Sequence, residues 1–313
     1  MAEEEILSSW RNGATRSAIT DFVNRVSSGG ADHVPLVDRI AVFDNDGTLW
    51  TEKPMPTQLH YIVLKWNEAV AADPTLAEKQ PYKSAASGDF AWLGAALDKH
   101  YAGDDSDLKL ILGALLGTTA GMSVEDYEAS VAAFYRDAQH LTLGRPYGEV
   151  IYLPMVELLR YLEANGFTCY IVSGGDRDFM RPMTVANYGI PPERVIGSAV
   201  GLAYDDGEVR YSTTFSFMDD GPEKPIRIWT RVGRRPILAA GNSNGDVPML
   251  EYVQRHPLSL SLLVHHDDDT GRGDDPYDKG AEVALAAATD GAFTVVSVRN
   301  DWETVFPVEQ APR

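Results

Sequence analysis

Two rhythms of apolar residues divide the chain. In the first, short unbroken apolar runs alternate with longer stretches in which apolar residues recur every three or four positions. The runs at 40–43, 168–172, 194–196, 236–240, 259–264 and 293–298 read as strands. Residues 14–26, 150–165, 178–188 and 225–232 carry helical spacing, with Gly166 ending one helix and Pro225 near the start of another. Alternation of this kind predicts an α/β fold, a mostly parallel sheet sandwiched by helices. Within 202–217, Asp205-Asp206-Gly207 predicts a hairpin turn.

The second rhythm occupies residues 55–143. No convincing buried strand occurs there, and helices are predicted at 59–70, 75–82, 90–99, 108–116 and 124–139, the last with Ser123 as its N-cap. A helical segment inserted directly after the first strand predicts a separate cap domain, 55–143, on a core formed by 1–54 and 144–313. Trp66, Tyr82, Phe90 and Trp92 in this segment read as cap core rather than a substrate cage.

Composition narrows the function. At 313 residues the chain can bury a large core, and 46 acidic against 27 basic residues give a formal charge of -19. Such a balance argues against a nucleic-acid partner held through its phosphates, and a phosphate-bearing ligand would need locally placed cations. The single cysteine, Cys169, rules out an intrachain disulfide and reads as a small buried hydrophobe. The opening MAEEEILSSW lacks the apolar stretch of a secretion leader, and no run matches a membrane span, so a cytoplasmic protein without a membrane partner is expected.

The polar run at 265–280, HHDDDTGRGDDPYDKG, holds six aspartates but lacks the twelve-residue calcium-loop pattern. His265 and His266 lack the spacing of a zinc helix motif. A solvated loop near the sheet edge is the expectation for this run.

Candidate chemistry sits at strand ends. After 40–43 the sequence turns abruptly polar: Asp44, Asn45, Asp46, Gly47, Thr48. Two carboxylates this close repel each other and call for a cation or a shared proton. The strand at 168–172 runs into Ser173-Gly174-Gly175, whose hydroxyl and unhindered amides suit an anion. Lys224 stands at a helix start, against the usual preference for cations at the other end, which makes sense beside an anion or the aspartates. The loop Gly241-Asn242-Ser243-Asn244-Gly245-Asp246 offers Asn242 and Asp246 as hard oxygen donors of the kind Mg²⁺ prefers.

These four stretches, in this order, resemble the motifs of the haloacid-dehalogenase superfamily, and among its branches the phosphoserine-phosphatase-like enzymes. The resemblance runs from about Arg39 to the last strand, with D-x-D-G-T at Asp44–Thr48 as its most specific part. It implies a Rossmann-like core and a Mg²⁺-dependent phosphomonoester hydrolase acting on a small phosphorylated metabolite. Asp44 would be the nucleophile, forming an aspartyl phosphate, and Asp46 the general acid and then base. Ser173, Gly174 and Lys224 would hold the phosphate. Asp44, the Asp46 carbonyl, Asn242 and Asp246 would be the metal set. Trp50, Glu52, Arg177 and Arg181, flanking the first two motifs, are candidate substrate selectors. Two departures stand out. Asn242 replaces an aspartate common in that branch, removing one negative charge, and Gly245 stands where asparagine is common. A phosphotransferase or phosphomutase would share the intermediate, and a binding protein that has lost turnover would share the fold.

Overall fold

The computed structural model describes residues 7–101, 104 and 106–307, so the expectation about residues 1–6 falls outside it. Chain order begins with α1 (Ala14–Ser27) and β1 (Ile40–Phe43). The helices α2 (Thr57–Ala72), α3 (Tyr82–Ser87), α4 (Ala91–Tyr101), α5 (Ser106–Thr119) and α6 (Val124–Asp137) follow. The alternation then resumes with α7 (Leu153–Ala164), β2 (Thr168–Asp176), α8 (Arg177–Tyr188), β3 (Val195–Asp205), β4 (Glu208–Phe217) and α9 (Glu223–Val232). It closes with β5 (Leu238–Gly241), α10 (Val247–Gln254), β6 (Leu260–His265), α11 (Glu282–Thr289), β7 (Thr294–Ser297) and α12 (Val298–Asp301). This is the α/β architecture expected, with a largely parallel sheet flanked by helices and a helical segment inserted after the first strand.

The seven strands lie in the order β4-β3-β2-β1-β5-β6-β7, all parallel except β4 against β3. Every residue of β1 and of β5 is buried, as central parallel strands covered on both faces require. The order reverses at β1: successive strands run outward through β2 and β3 on one side and through β5, β6 and β7 on the other. Phe43 is in register with Ile171 of β2 and Ala240 of β5, so the loops leaving β1 and β5 emerge side by side next to the last residues of β2, which runs on to Asp176. Crevices of open α/β sheets form at this switch point.

The chain divides into two compact units. The second unit comprises Met55–Phe134 together with Ala199–Phe217, and the first the remaining described residues. Inside the second unit, Tyr61 packs edge-on against Tyr127 and Phe134, and Tyr127 against Tyr211 of β4. Tyr211 exchanges backbone hydrogen bonds with Gly121 and Met122, which ties the end of α5 to the hairpin. Trp66 is fully buried with Tyr82 beside it. Ser123 Oγ accepts from Asp126 N at 3.1 Å, the cap expected at the start of α6.

Several expectations on local structure need correction. No single helix covers 75–82: a short 3₁₀ turn, Pro74–Glu78, is followed by Pro81, which cannot extend a helix, and α3 starts afresh. Residues 150–152 are not helical either, because Thr51 N donates to Val150 O and Tyr152 N to Leu49 O, drawing them into an extended pairing with the end of the first motif. The hairpin turn does form, with Asp206 and Gly207 both at positive φ, 45° and 89°. Cys169 is free and buried. No helix among the described residues is long and apolar enough to cross a membrane.

Candidate active site

The site is built from the loops after β1 and β5, the last residues of β2 and the start of α9. Asp44 N donates to Ala240 O, so the first residue beyond β1 remains anchored to β5 while its side chain is freed. Gly47 turns the chain back with φ 73°, a conformation costly for residues with a Cβ. A Cβ there would lie 2.0 Å from Asn242 Nδ2, so glycine also permits close approach of the β5 loop.

Lys224 projects from the first turn of α9 and is 2% exposed. Its Nζ donates to Asp44 Oδ1 at 2.7 Å and to Asp246 Oδ1 at 2.5 Å. One ammonium thus bridges carboxylates from the loops of β1 and β5. Burial works against its charge, but Asp246 and Asp44 outweigh burial and hold it well above the usual lysine range. Burial and the neighbouring Asp246 push the Asp44 carboxyl upward, with Lys224 opposing them. Asp46 accepts from Trp50 Nε1 at 2.9 Å, and burial pushes its carboxyl up to about 6 against that hydrogen bond.

The loop 241–246 is organised by Asp246. Its Oδ2 accepts from Asn242 N, Ser243 N and Ser243 Oγ, while Oδ1 faces Lys224. Asn242 Oδ1 accepts from Thr48 Oγ1 at 3.3 Å, and its Nδ2 donates to Glu52 Oε1 at 3.0 Å. Ser173 is buried where the β2–β3 register slips, and its Oγ accepts from Gly175 N. The slip leaves Gly174 exposed, with its carbonyl accepting from Ser198 Oγ.

The structure therefore joins Asp44, Lys224 and Asp246 directly, and links Asp46 to Trp50 and Asn242 to Glu52. Trp50 is 1% exposed and packs against Tyr135 and Phe179, so its indole supports Asp46 from within the core. Arg177 and Arg181 meet on Asp178, with Arg181 Nε also donating to Pro192 O. These placements make Trp50 a support for the turn and hold the two arginines on their own helix.

Two groups of residues escaped the sequence reading. Asp219 and Asp220 precede α9. Asp219 is fully buried, burial pushes its carboxyl up to about 7, and neither of its side-chain oxygens has a hydrogen-bond partner among the described residues. The Asp220 carboxylate lies between Gly174 and Gly245, where a Cβ at Gly245 would come within 2.3 Å of Asp220 Oδ1. That approach gives a local reason for glycine at 245. The acidic pair ahead of Lys224 was the available signal.

The second group corrects the expected solvated loop in part. In the run at 265–280, His266, Asp268 and Asp274 are all buried. His266 reaches the Gly47 carbonyl, and Tyr277 OH donates to Glu52 Oε1 at 2.6 Å. These residues pack behind the first motif, while residues 269–271, Asp275, Pro276 and residues 278–280 stay exposed as expected. Among the described residues, no three histidine, cysteine, aspartate or glutamate side chains form a metal-holding group.

Comparison with known proteins assigns a family and a fold. A family model described as haloacid dehalogenase-like hydrolase matches residues 41–251. No curated protein matches the sequence. A conserved functionally unknown protein from Anaerococcus prevotii DSM 20548 shares the fold at 17% identity, covering 90% of each chain with a TM-score of 0.54. A protein with unknown function from Bordetella pertussis Tohama I does so at 18% identity, over 82% of this chain and 97% of its own, with a TM-score of 0.51.

Proposed function

The chain belongs to the haloacid dehalogenase-like hydrolases, and from that membership we propose that it is a phosphomonoester hydrolase of the phosphoserine-phosphatase-like kind, acting on a small phosphorylated metabolite through Asp44. The observation that carries this reading is the buried Lys224 ammonium, 2.7 Å from Asp44 at the carboxyl end of β1. A carboxylate can attack phosphorus only where the phosphate's charge is offset, and a desolvated ammonium at that spot supplies the offset.

In this scheme an Asp44 oxygen attacks the phosphorus and the ester P–O bond breaks. Asp46, in its acid form, gives its proton to the departing alkoxide. Water then attacks the aspartyl phosphate, Asp46 takes a proton from it, and the acyl–phosphate bond opens to free inorganic phosphate and Asp44. A carboxyl near 6 suits both directions of proton transfer at neutral pH. Ser173 and the exposed Gly174 stand at the neighbouring strand end as partners for phosphate oxygens. Asp246 holds Lys224 in place, and Trp50 orients Asp46.

The donor set fits a hard divalent cation. Asp44 and Asp246 share the one buried Lys224 ammonium, two carboxylates to one cation, with the half-buried Asp46 on the same turn as Asp44. Mg²⁺ held by Asp44, the Asp46 carbonyl and the Asn242–Asp246 loop would offset that charge and polarise the phosphoryl group. With Asp246 Oδ2 already accepting three hydrogen bonds, its part is to orient the loop and Lys224.

The test is phosphate release from phosphoamino acids, sugar phosphates, nucleotides and amine phosphates, with Mg²⁺ and with excess chelator. Release from one class that stops on chelation is the expected result. Silence across the panel, or turnover undiminished in chelator, refutes the reading.

A further inference from the structure

His266 follows β6 and is 2% exposed. Its Nδ1 lies 2.7 Å from Asp274 Oδ2, and its Nε2 lies 2.7 Å from the carbonyl oxygen of Gly47. The Gly47 carbonyl can only accept, so Nε2 must donate to it, and an ionised Asp274 likewise takes a proton from Nδ1. Asp274 is itself held, because its other oxygen accepts from Tyr152 OH at 2.6 Å. The imidazole plane stacks on Tyr277, centroids 4.5 Å apart and 12° from parallel, and Tyr277 OH donates to Glu52.

The contact falls on the turn that carries the chemistry. Gly47 N donates to Trp50 O, which fixes the Asp46–Gly47 peptide plane, and His266 fixes the plane that follows. With both planes pinned, the direction of the Asp46 carbonyl is set by Trp50, and that of the Gly47 carbonyl by His266.

We propose that His266 is a positioning residue for the reaction at Asp44: donating from both ring nitrogens, it braces the Gly47 carbonyl against Asp274 and holds the Asp44–Thr48 turn in its working shape. Burial works against a charged ring here, while Asp274, and more weakly Glu52, outweigh it and raise its proton affinity. The groups facing the ring are Asp274 and Tyr277 from its own run, Glu52 and the Gly47 carbonyl from the first motif, and Tyr152 ahead of α7. The kinetic part of this inference rests on the phosphatase reading, and the rest does not.

The experiment uses the full chain, labelled with ¹⁵N-histidine, together with H266F and D274N. Nitrogen NMR near neutral pH should show one ring, absent in H266F, with protons on both nitrogens; a ring with a bare nitrogen overturns the proposal. Amide hydrogen exchange at Gly47 and Thr48 should quicken about tenfold in both variants while Ile40–Phe43 stay protected. Unchanged exchange overturns the brace whatever the activity. Turnover per folded molecule should fall about 10²-fold in H266F and less in D274N, with KM little changed, because small misplacement of reacting groups is costly. A loss confined to KM, or wild-type turnover in folded H266F, also overturns it. Should H266F not fold, D274N decides on the same readouts. A wild-type protein that turns over no ester while exchange behaves as expected refutes the phosphatase reading and leaves the brace a loop clamp; turnover with unaltered exchange does the reverse.

Discussion

Two polar stretches of this chain, residues 44–52 and residues 265–280, look alike in composition and differ in how they work. Both carry aspartate and glycine, two and one in the first and six and three in the second, and both follow a buried strand. In the first, Asp44 is met by Lys224 from the start of α9, and the half-buried Asp46 by Trp50, four residues on in the same stretch. In the second, Asp268 and Asp274 are satisfied largely within or beside their own run, by Thr270, Arg272, His266 and Tyr152. The first stretch stores unbalanced charge and the second neutralises it. That contrast is the ground for proposing chemistry at one and support at the other.

The contrast can be broken most forcefully at its centre. Asp44→Asn removes the attacking carboxylate, so turnover should fall below detection and no label from ³²P-substrate should stay on the protein in a rapid-quench assay. Label trapped at the wild-type level would move the nucleophile elsewhere. Lys224→Met leaves Asp44 and Asp246 facing each other without their cation. Breaking a buried pair in this way costs about 3–5 kcal/mol, readable by urea unfolding. A variant as stable as the wild type would show that the carboxylates shed their charge without the ammonium.

Asp46→Asn should show a penalty that depends on the leaving group, severe for an alkyl ester and milder for an aryl ester whose phenolate departs unaided. In the wild type, the acid form of Asp46 dominates below about 6, so alkyl-ester kcat/KM should decline as pH rises through that value. The same shift has a sign for stability. Because the folded carboxyl is raised, its contribution is fully present below the ordinary aspartate range and is lost as pH rises through about 6. Asp46→Asn should make that slope shallower, leaving the part that the raised Asp219 contributes, which unfolding at several pH values would measure; a slope as steep as the wild type's assigns it wholly to other groups.

Two glycines set the stretches side by side. Gly47 and Gly271 have nearly the same φ, 73° and 80°, but a Cβ at Gly47 collides with Asn242 and Glu52 while none meets anything within 4 Å at Gly271. Gly271→Ala should cost about 1 kcal/mol, the price of the backbone conformation alone. Gly47→Ala adds overpacking of about 1–3 kcal/mol and should disable turnover as well. Equal losses would mean that the crowding around Gly47 relaxes freely. The smallest effect is expected at Asp268. Burial would raise its carboxyl, yet hydrogen bonds from Thr270 and Arg272 outweigh burial and lower it. Its stabilisation is therefore present above the ordinary aspartate range and lost as pH falls through the depressed value. Asp268→Asn should be less stable than the wild type at neutral pH, with the gap closing in acid; a gap independent of pH would point to lost packing instead.

The sequence alone determined the alternating core, the helical insertion and the positions of the four motif stretches. Each depends on local rules: apolar runs make buried strands, helical spacing makes amphipathic helices, and polar turns follow strand ends. Those rules also placed Asp44 and Lys224 as candidates, since an aspartate pair on one turn and a lysine at a helix start are locally unfavourable. Tertiary structure decided which candidates meet. Trp50 lay beside the first motif and looked available to a substrate, but its indole turned inward to Asp46 because Tyr135 and Phe179 offered it a core. Arg177 and Arg181 found Asp178 one helical turn or less away. His266 and Asp274 read as a solvated run, because nothing local marks a polar residue as buried. Burial became favourable only when the Gly47 carbonyl, 219 residues distant in sequence, was left needing a donor in a space from which water had been excluded.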